Sequence, residues 1–172
     1  MRLKDLALWM YGDARTSGGF WYSHEIGETV GLTEEQLFWV PHPNSLCILW
    51  HIGHIAHRER VHFNKFIQGH DNVDIPQGYN VFGTKWCSTE TLRQSIDSIK
   101  NVFTWAARVR EDSQNYIKGL QDKHFSIVTS TSESNLSIGH WLFITSAHTA
   151  LHIGRIQLLR ALLEERHEEP CW

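Results

Sequence analysis

The chain has 172 residues, a mass of 20.0 kDa and a formal charge of −3, with 41 % hydrophobic and 20 % charged residues. That length and balance fit one ordered domain, taken as residues 1–172, which can bury a core without disulfides; they exclude a disordered tail protein. The charge carries no basic surplus for nucleic-acid backbone, and apolar runs such as Leu46 to Trp50 fall far short of the roughly 18 residues of a membrane span.

Apolar spacing predicts a first helix from about Leu3 to Val30, loosened at Gly18-Gly19 and stopped by Gly31. Thr33 to Gln36 is a capping-box pattern that opens a short helical stretch up to Trp39. Pro41 and Pro43 break the chain, and Asn44 or Ser45 is the expected cap of a second helix running to about Gln68 and ending at Gly69. His70 to Cys87 reads as a long loop with aromatic tips at Tyr79, Phe82 and Trp86, which either pin it to the helices or close over a pocket. A third helix, capped by Ser88 or Thr89, is expected to reach Leu120 with a stripe that includes Leu92, Ile96, Ile99, Val102, Phe103 and Ala106. Residues 121–136 lack a helical period and read as an extended linker, and Ser137 caps a fourth helix to about Arg166. The pattern is all-α: a four-helix bundle with a long loop between helices two and three.

Twelve histidines stand out in a chain of this size, and they lie inside the sequence without forming a run. They invite a metal or acid–base reading. Cys47, Cys87 and Cys171 form no CxxC pair, which argues against a disulfide framework or zinc knuckle. With no signal-peptide pattern at the start, a reduced cytoplasmic setting is the expectation.

On the fourth helix, His148 and His152 are four residues apart, so both imidazoles share one face, near the middle of a stripe that includes Trp141, Ile144, Ile156 and Leu159. Two buried imidazoles side by side are costly unless something satisfies their nitrogens, as a divalent metal would; hydrogen bonds to backbone or water are the structural alternative. The second helix offers His51, His54, His57 and His62. His57 lies furthest outward. His51 and His62 flank the apolar stripe, while His54 shares its side with Cys47, Trp50 and Val61, so periodicity leaves the choice of ligand open.

The stretch His54-Ile-Ala-His57-Arg58-Glu59, continuing through Asn64 to Gly69, resembles the second helix of the DinB/YfiT-like superfamily. His148-Thr-Ala-Leu-His152-Ile-Gly154-Arg155-Ile156 is similar to that family's fourth-helix motif, and Asn44-Ser45-Leu46 ahead of helix two is similar as well. The resemblance implies a four-helix bundle holding one divalent metal through His54, His148 and His152. The spacing from Ser45 favours His51 as the alternative to His54, and Arg155 stands where many members carry Gln.

Three neutral imidazoles would leave a bound ion its full charge and open positions, a donor set more usual for catalysis than for structure. Zn or Ni heads the candidates, followed by Fe, Co or Mn. The family resemblance implies a metal-dependent transferase that uses a low-molecular-weight thiol on an electrophilic small molecule. The alternatives are a metal-dependent hydrolase, a non-catalytic stress-related metal-binding protein and a dimeric scaffold. Glu59 is a candidate base, with a surface ion pair to Arg58, Arg60 or a neighbouring helix as its structural alternative. Arg155 is a candidate for orienting an anionic group such as a thiol's carboxylate. The open metal position is expected to face a pocket under the 70–87 loop, and the end of helix four with Trp172 is a candidate homodimer contact.

Overall fold

The computed structural model describes residues 2–12, 27–129 and 135–165. These residues are all-α, with no strand among them beyond an isolated bridge between Val128 and Ser137. The helices are α1 (Leu3–Tyr11), α2 (Glu34–Phe38), α3 (Ile48–Val61, continued as a π-helical turn over His62–Ile67), α4 (Thr89–Ser95), α5 (Ile99–Gly119) and α6 (Ile138–Glu165). The second tier is two 3₁₀ turns, Tyr79–Gly83 and Asp122–Ser126. α3 packs against α5 and α6, and α1 packs against the same two helices.

Four boundaries differ from the sequence reading, each for a local reason. The first helix stops at Tyr11, because Gly12 adopts φ 83° and its N–H closes on the carbonyls of Leu8 and Trp9. Gly18, Gly19, Phe20, Trp21 and Ile26 lie outside the described residues. The second long helix begins after Cys47 rather than at Asn44 or Ser45. Those two residues belong to a turn in which the N–H of Ser45 donates to the carbonyl of His42. The third helix is two helices: Ile96 is extended, and Ser98 restarts the chain by accepting the N–H of Asn101. The apolar stripe runs across this break, so periodicity alone hides it. The segment after Leu120 coils into a 3₁₀ turn instead of a fully extended linker. The capping box survives intact, with Thr33 Oγ1 accepting from Gln36 N–H and Gln36 Oε1 accepting from Thr33 N–H.

The core has two apolar clusters, one around Leu49, Phe82, Trp105 and Ile156, the other around Tyr11, Phe63, Ile117 and Trp141. Between them α3 and α6 bury polar residues: His51, His54, Glu59, His62, Thr145, Thr149 and His152. A polar layer of this kind is stable only if each group has a partner, so its pairings bear on function.

The 79–83 turn pins the long loop to α3. Phe82 is fully buried and Tyr79 nearly so, while Trp86 is exposed. A glycine in the middle of a helix costs about 1 kcal/mol relative to alanine. Gly53 nevertheless occupies the middle of α3, because a methyl group there would overlap the Phe82 ring. On the far side, Gly78 takes φ 85° against the Ser95 carbonyl, and the Tyr79 hydroxyl donates to Asp97 at 2.7 Å.

Candidate metal centre

α3 and α6 run antiparallel through the polar layer. His51 lies opposite His152, His54 opposite His148, and His62 opposite Thr145. The first half of α3 is buried all round, from Ile48 to His57, because α6 covers one side and the 79–83 turn another. That is why the wheel of this helix shows no single apolar face.

One ring nitrogen from each of His54, His148 and His152 lies within 4.8 Å of the other two, the one such group among the described residues. His54 Nε2 and His148 Nε2 are 3.2 Å apart. Two imidazole nitrogens on one ion at the usual bond length and a tetrahedral angle sit about 3.4 Å apart, so the spacing suits a shared cation. The tautomer of His54 agrees. Its Nδ1 lies 2.6 Å from the carbonyl oxygen of Phe82, which can only accept, so Nδ1 carries the proton and Nε2 a lone pair. His152 Nδ1 is 2.9 Å from His51 Nδ1, which leaves Nε2 as the ring nitrogen of His152 for a further partner. Trp50 stacks on His54 with ring centroids 4.3 Å apart and walls the cluster on that side.

The rings are held neutral, as ligation requires. Burial pushes His54 and His148 down to about 4 and His152 to about 2, with neighbouring cations and imidazoles adding to the effect. His51 and His62 fall to about 3 for the same first reason. His148 is the most exposed of the three, only half-buried, so the cluster meets solvent along that ring.

The remaining candidates are placed as follows. His51 is next to the cluster rather than in it, bonded to the back of His152. His57 is buried against the backbone of Gly83, not outward as its wheel position suggested; the loop covers that side of α3. His62 is tied through Nδ1 to the Thr145 hydroxyl at 2.8 Å. Glu59 faces α5, where its Oε2 pairs with Arg110 at 2.8 Å, and both side chains are buried. It is therefore an internal ion pair and not a surface one, and it is not among the three clustered ligands. Arg155 is exposed, and its charge is felt by His51, His148 and His152. Phe82 of the loop packs against Gly53 on α3. Sequence reasoning did not single out the Phe82 carbonyl, the His51–His152 bond or Arg58. Gly53 inside an otherwise good helix was the one available sign that something approaches α3 closely.

An all-α chain with three clustered imidazoles converging from two antiparallel helices defines a class of candidate metal proteins. The sequence model of the DinB superfamily matches residues 28–156, and the chain belongs to that superfamily. No curated protein matches the chain. Among the described residues, no helix is long and apolar enough to cross a membrane.

Proposed function

We propose that this protein binds one divalent metal through His54, His148 and His152, and that the bound metal serves a transferase reaction in which a low-molecular-weight thiol attacks an electrophilic small molecule. The observation that carries the reading is the convergence of three ring nitrogens within 4.8 Å, two of the rings buried and the third half-buried. The Phe82 carbonyl and His51 behind the rings support it, since ligating histidines commonly bond a second group through the other ring nitrogen. A divalent cation held by neutral ligands supplies the charge that lowers the pKa of a small thiol or of water near neutral pH. Zn or Ni is the proposed occupant, since all-imidazole donors suit both. His54, His148 and His152 hold the ion, His51 and Phe82 orient the rings, and Trp50 excludes water from one side. The buried free thiols Cys47 and Cys87 fit a reducing cytoplasm, and the exposed apolar residues Phe143 and Leu158 on α6 support a homodimer.

The test is elemental analysis of protein purified without an affinity metal, beside His148→Ala. About one equivalent of metal in the parent chain and a trace in the variant is the expected result. Thiol consumption with a generic electrophile then separates turnover from storage. A rate equal to that of His152→Ala for every thiol removes the transferase reading, and an ester or amide substrate put through the same comparison tests the hydrolase.

A further inference from the structure

The mouth of the cluster carries two cations, and among the described residues no acid pairs with either. Arg58 follows His54 by one turn on α3, and Arg155 follows His152 by three residues on α6. Each arginine therefore stays on the face of its own ligands, displaced along its helix by about 6 Å and about 4.5 Å respectively. Because the helices are antiparallel, the displacements are opposite, and the arginines bracket the three imidazoles from the two ends. Both side chains are exposed. Among the described residues, neither is in an ion pair, in contrast to Arg60, Arg93, Arg110 and Arg160, each of which has a carboxylate. The charges acting on the clustered rings come from these two arginines and from other imidazoles, and among the described residues no carboxylate is one of them.

The rim has an apolar component too. Ile144 and Leu151 precede and follow His148 at helical spacing, so they flank the one ring that reaches solvent, and they are 37 % and 55 % exposed. A centre of neutral ligands, a divalent ion and two guanidinium groups unpaired among the described residues is strongly positive, and it attracts something negative. Water alone does not account for the apolar flank.

We propose that the site takes a small organic anion with an apolar part, its charged group held between Arg58 and Arg155 and its apolar part lying on Ile144 and Leu151 beside His148. The proposal rests on the metal reading above and narrows the substrate class for the same site. A neutral electrophile or a bare inorganic anion uses only half of this rim.

Three probes separate the contributions: hexanoate has both features, acetate only the charge, and hexanamide only the apolar chain. Each is titrated calorimetrically into the metal-free and the metal-loaded chain, and into Arg58→Gln, Arg155→Gln and the double variant, with metal content measured for every sample. Both arginines are exposed, so the variants are expected to fold. Hexanoate should bind the parent chain at least tenfold more tightly than either other probe. Each single variant should lose about tenfold, as removal of one charge-assisted hydrogen bond implies. Arg155→Lys should recover part of that loss. Equal hexanoate binding by parent and double variant, with metal content intact, overturns the inference and leaves the metal reading standing. Absence of metal from the parent chain fails the metal reading, and the metal-free titrations then decide the inference alone: arginine-dependent binding of hexanoate supports it, and none overturns it.

Discussion

α3 carries two buried polar centres five residues apart, and they are resolved in opposite ways. Glu59 turns towards α5 and meets Arg110, so charge is cancelled within the chain. His54 turns towards α6 and meets His148 and His152, so like groups face one another. A buried acid beside a buried base has its opposite charge at hand. Three neutral imidazoles bring no opposite charge to one another, and their clustered nitrogens could hold a cation. The difference teaches that burial of a titratable residue is no sign of function by itself: what matters is whether its neighbours supply the complement. Glu59, a candidate base in the sequence, belongs with the structural pair for this reason.

The largest expected effect breaks the self-sufficient half. Arg110→Ala leaves the Glu59 carboxylate buried without its partner, where Oε1 already has none. Removing one member of such a pair costs about 3–5 kcal/mol of stability. Chemical denaturation should show a loss of that size, while the folded fraction retains its metal. A loss below about 1 kcal/mol would show that the pair is solvated and that the contrast between the two centres is false.

The two centres also differ in their response to acid. The clustered imidazoles have folded-state pKa values of about 2 to 4, below the ordinary 6.5. The unfolded chain therefore binds more protons than the folded chain at any pH from about 6.5 down to those values. Each such proton costs about 1.4 kcal/mol of stability per pH unit. The imidazole contribution in the metal-free protein should be flat above pH 7 and cost stability steadily from pH 6.5 to pH 4, with metal affinity falling in the same window as protons compete for the nitrogens. His148→Ala, with one fewer imidazole to desolvate, should show a shallower slope in equilibrium unfolding across that range. An identical slope would mean that the acid response originates elsewhere in the chain.

The imidazole layer is held from behind, and that support can be removed without touching a ligand. In Gly53→Ala the added methyl would collide with the Phe82 ring, so that side chain must shift, and the expected outcome is that the 79–83 turn moves with it and draws the carbonyl from His54 Nδ1. Overpacking of this kind costs about 1–3 kcal/mol. Loss of an outer partner lowers metal affinity about tenfold to a hundredfold. Both should appear together, the first in thermal unfolding and the second in competition with a chelator. A stability loss with unchanged affinity would show that the carbonyl does not orient the ring.

Legibility followed range along the chain. Contacts within a helical turn were readable: the Thr33–Gln36 box, the His148–His152 face and the all-α pattern each depend on residues a few positions apart. Contacts across the fold were not. The partner of Glu59 is 51 residues further on in α5, and periodicity holds no information about which helix faces it. His57 looked outward because the wheel does not include a loop that folds back over it. The break at Ile96 was invisible because the apolar spacing continues across it, while the cap at Ser98 is one of many serines. His54 and His51 were unresolved from the pattern of α3, which is buried all round, and only the resemblance to the DinB family favoured His54.

That choice supplies the smallest and sharpest test. In the structure His51 lies behind His152, 2.9 Å away through the two Nδ1 atoms. If His152 ligates through Nε2, its Nδ1 keeps the proton and donates it to His51, whose own Nδ1 is then a bare acceptor. This bond fixes the ring and makes the ligating nitrogen more basic. His51→Phe retains a ring of similar size and removes only the acceptor. The variant should still bind one equivalent of metal, with affinity reduced about tenfold to a hundredfold. His54→Phe should bind essentially none. The reverse result, with metal lost from His51→Phe and retained by His54→Phe, would exchange the two roles. It would place the ion one helical turn nearer the start of α3, against Trp50 and away from the half-buried edge at His148, and the contrast with Glu59 would then rest on a different set of three nitrogens.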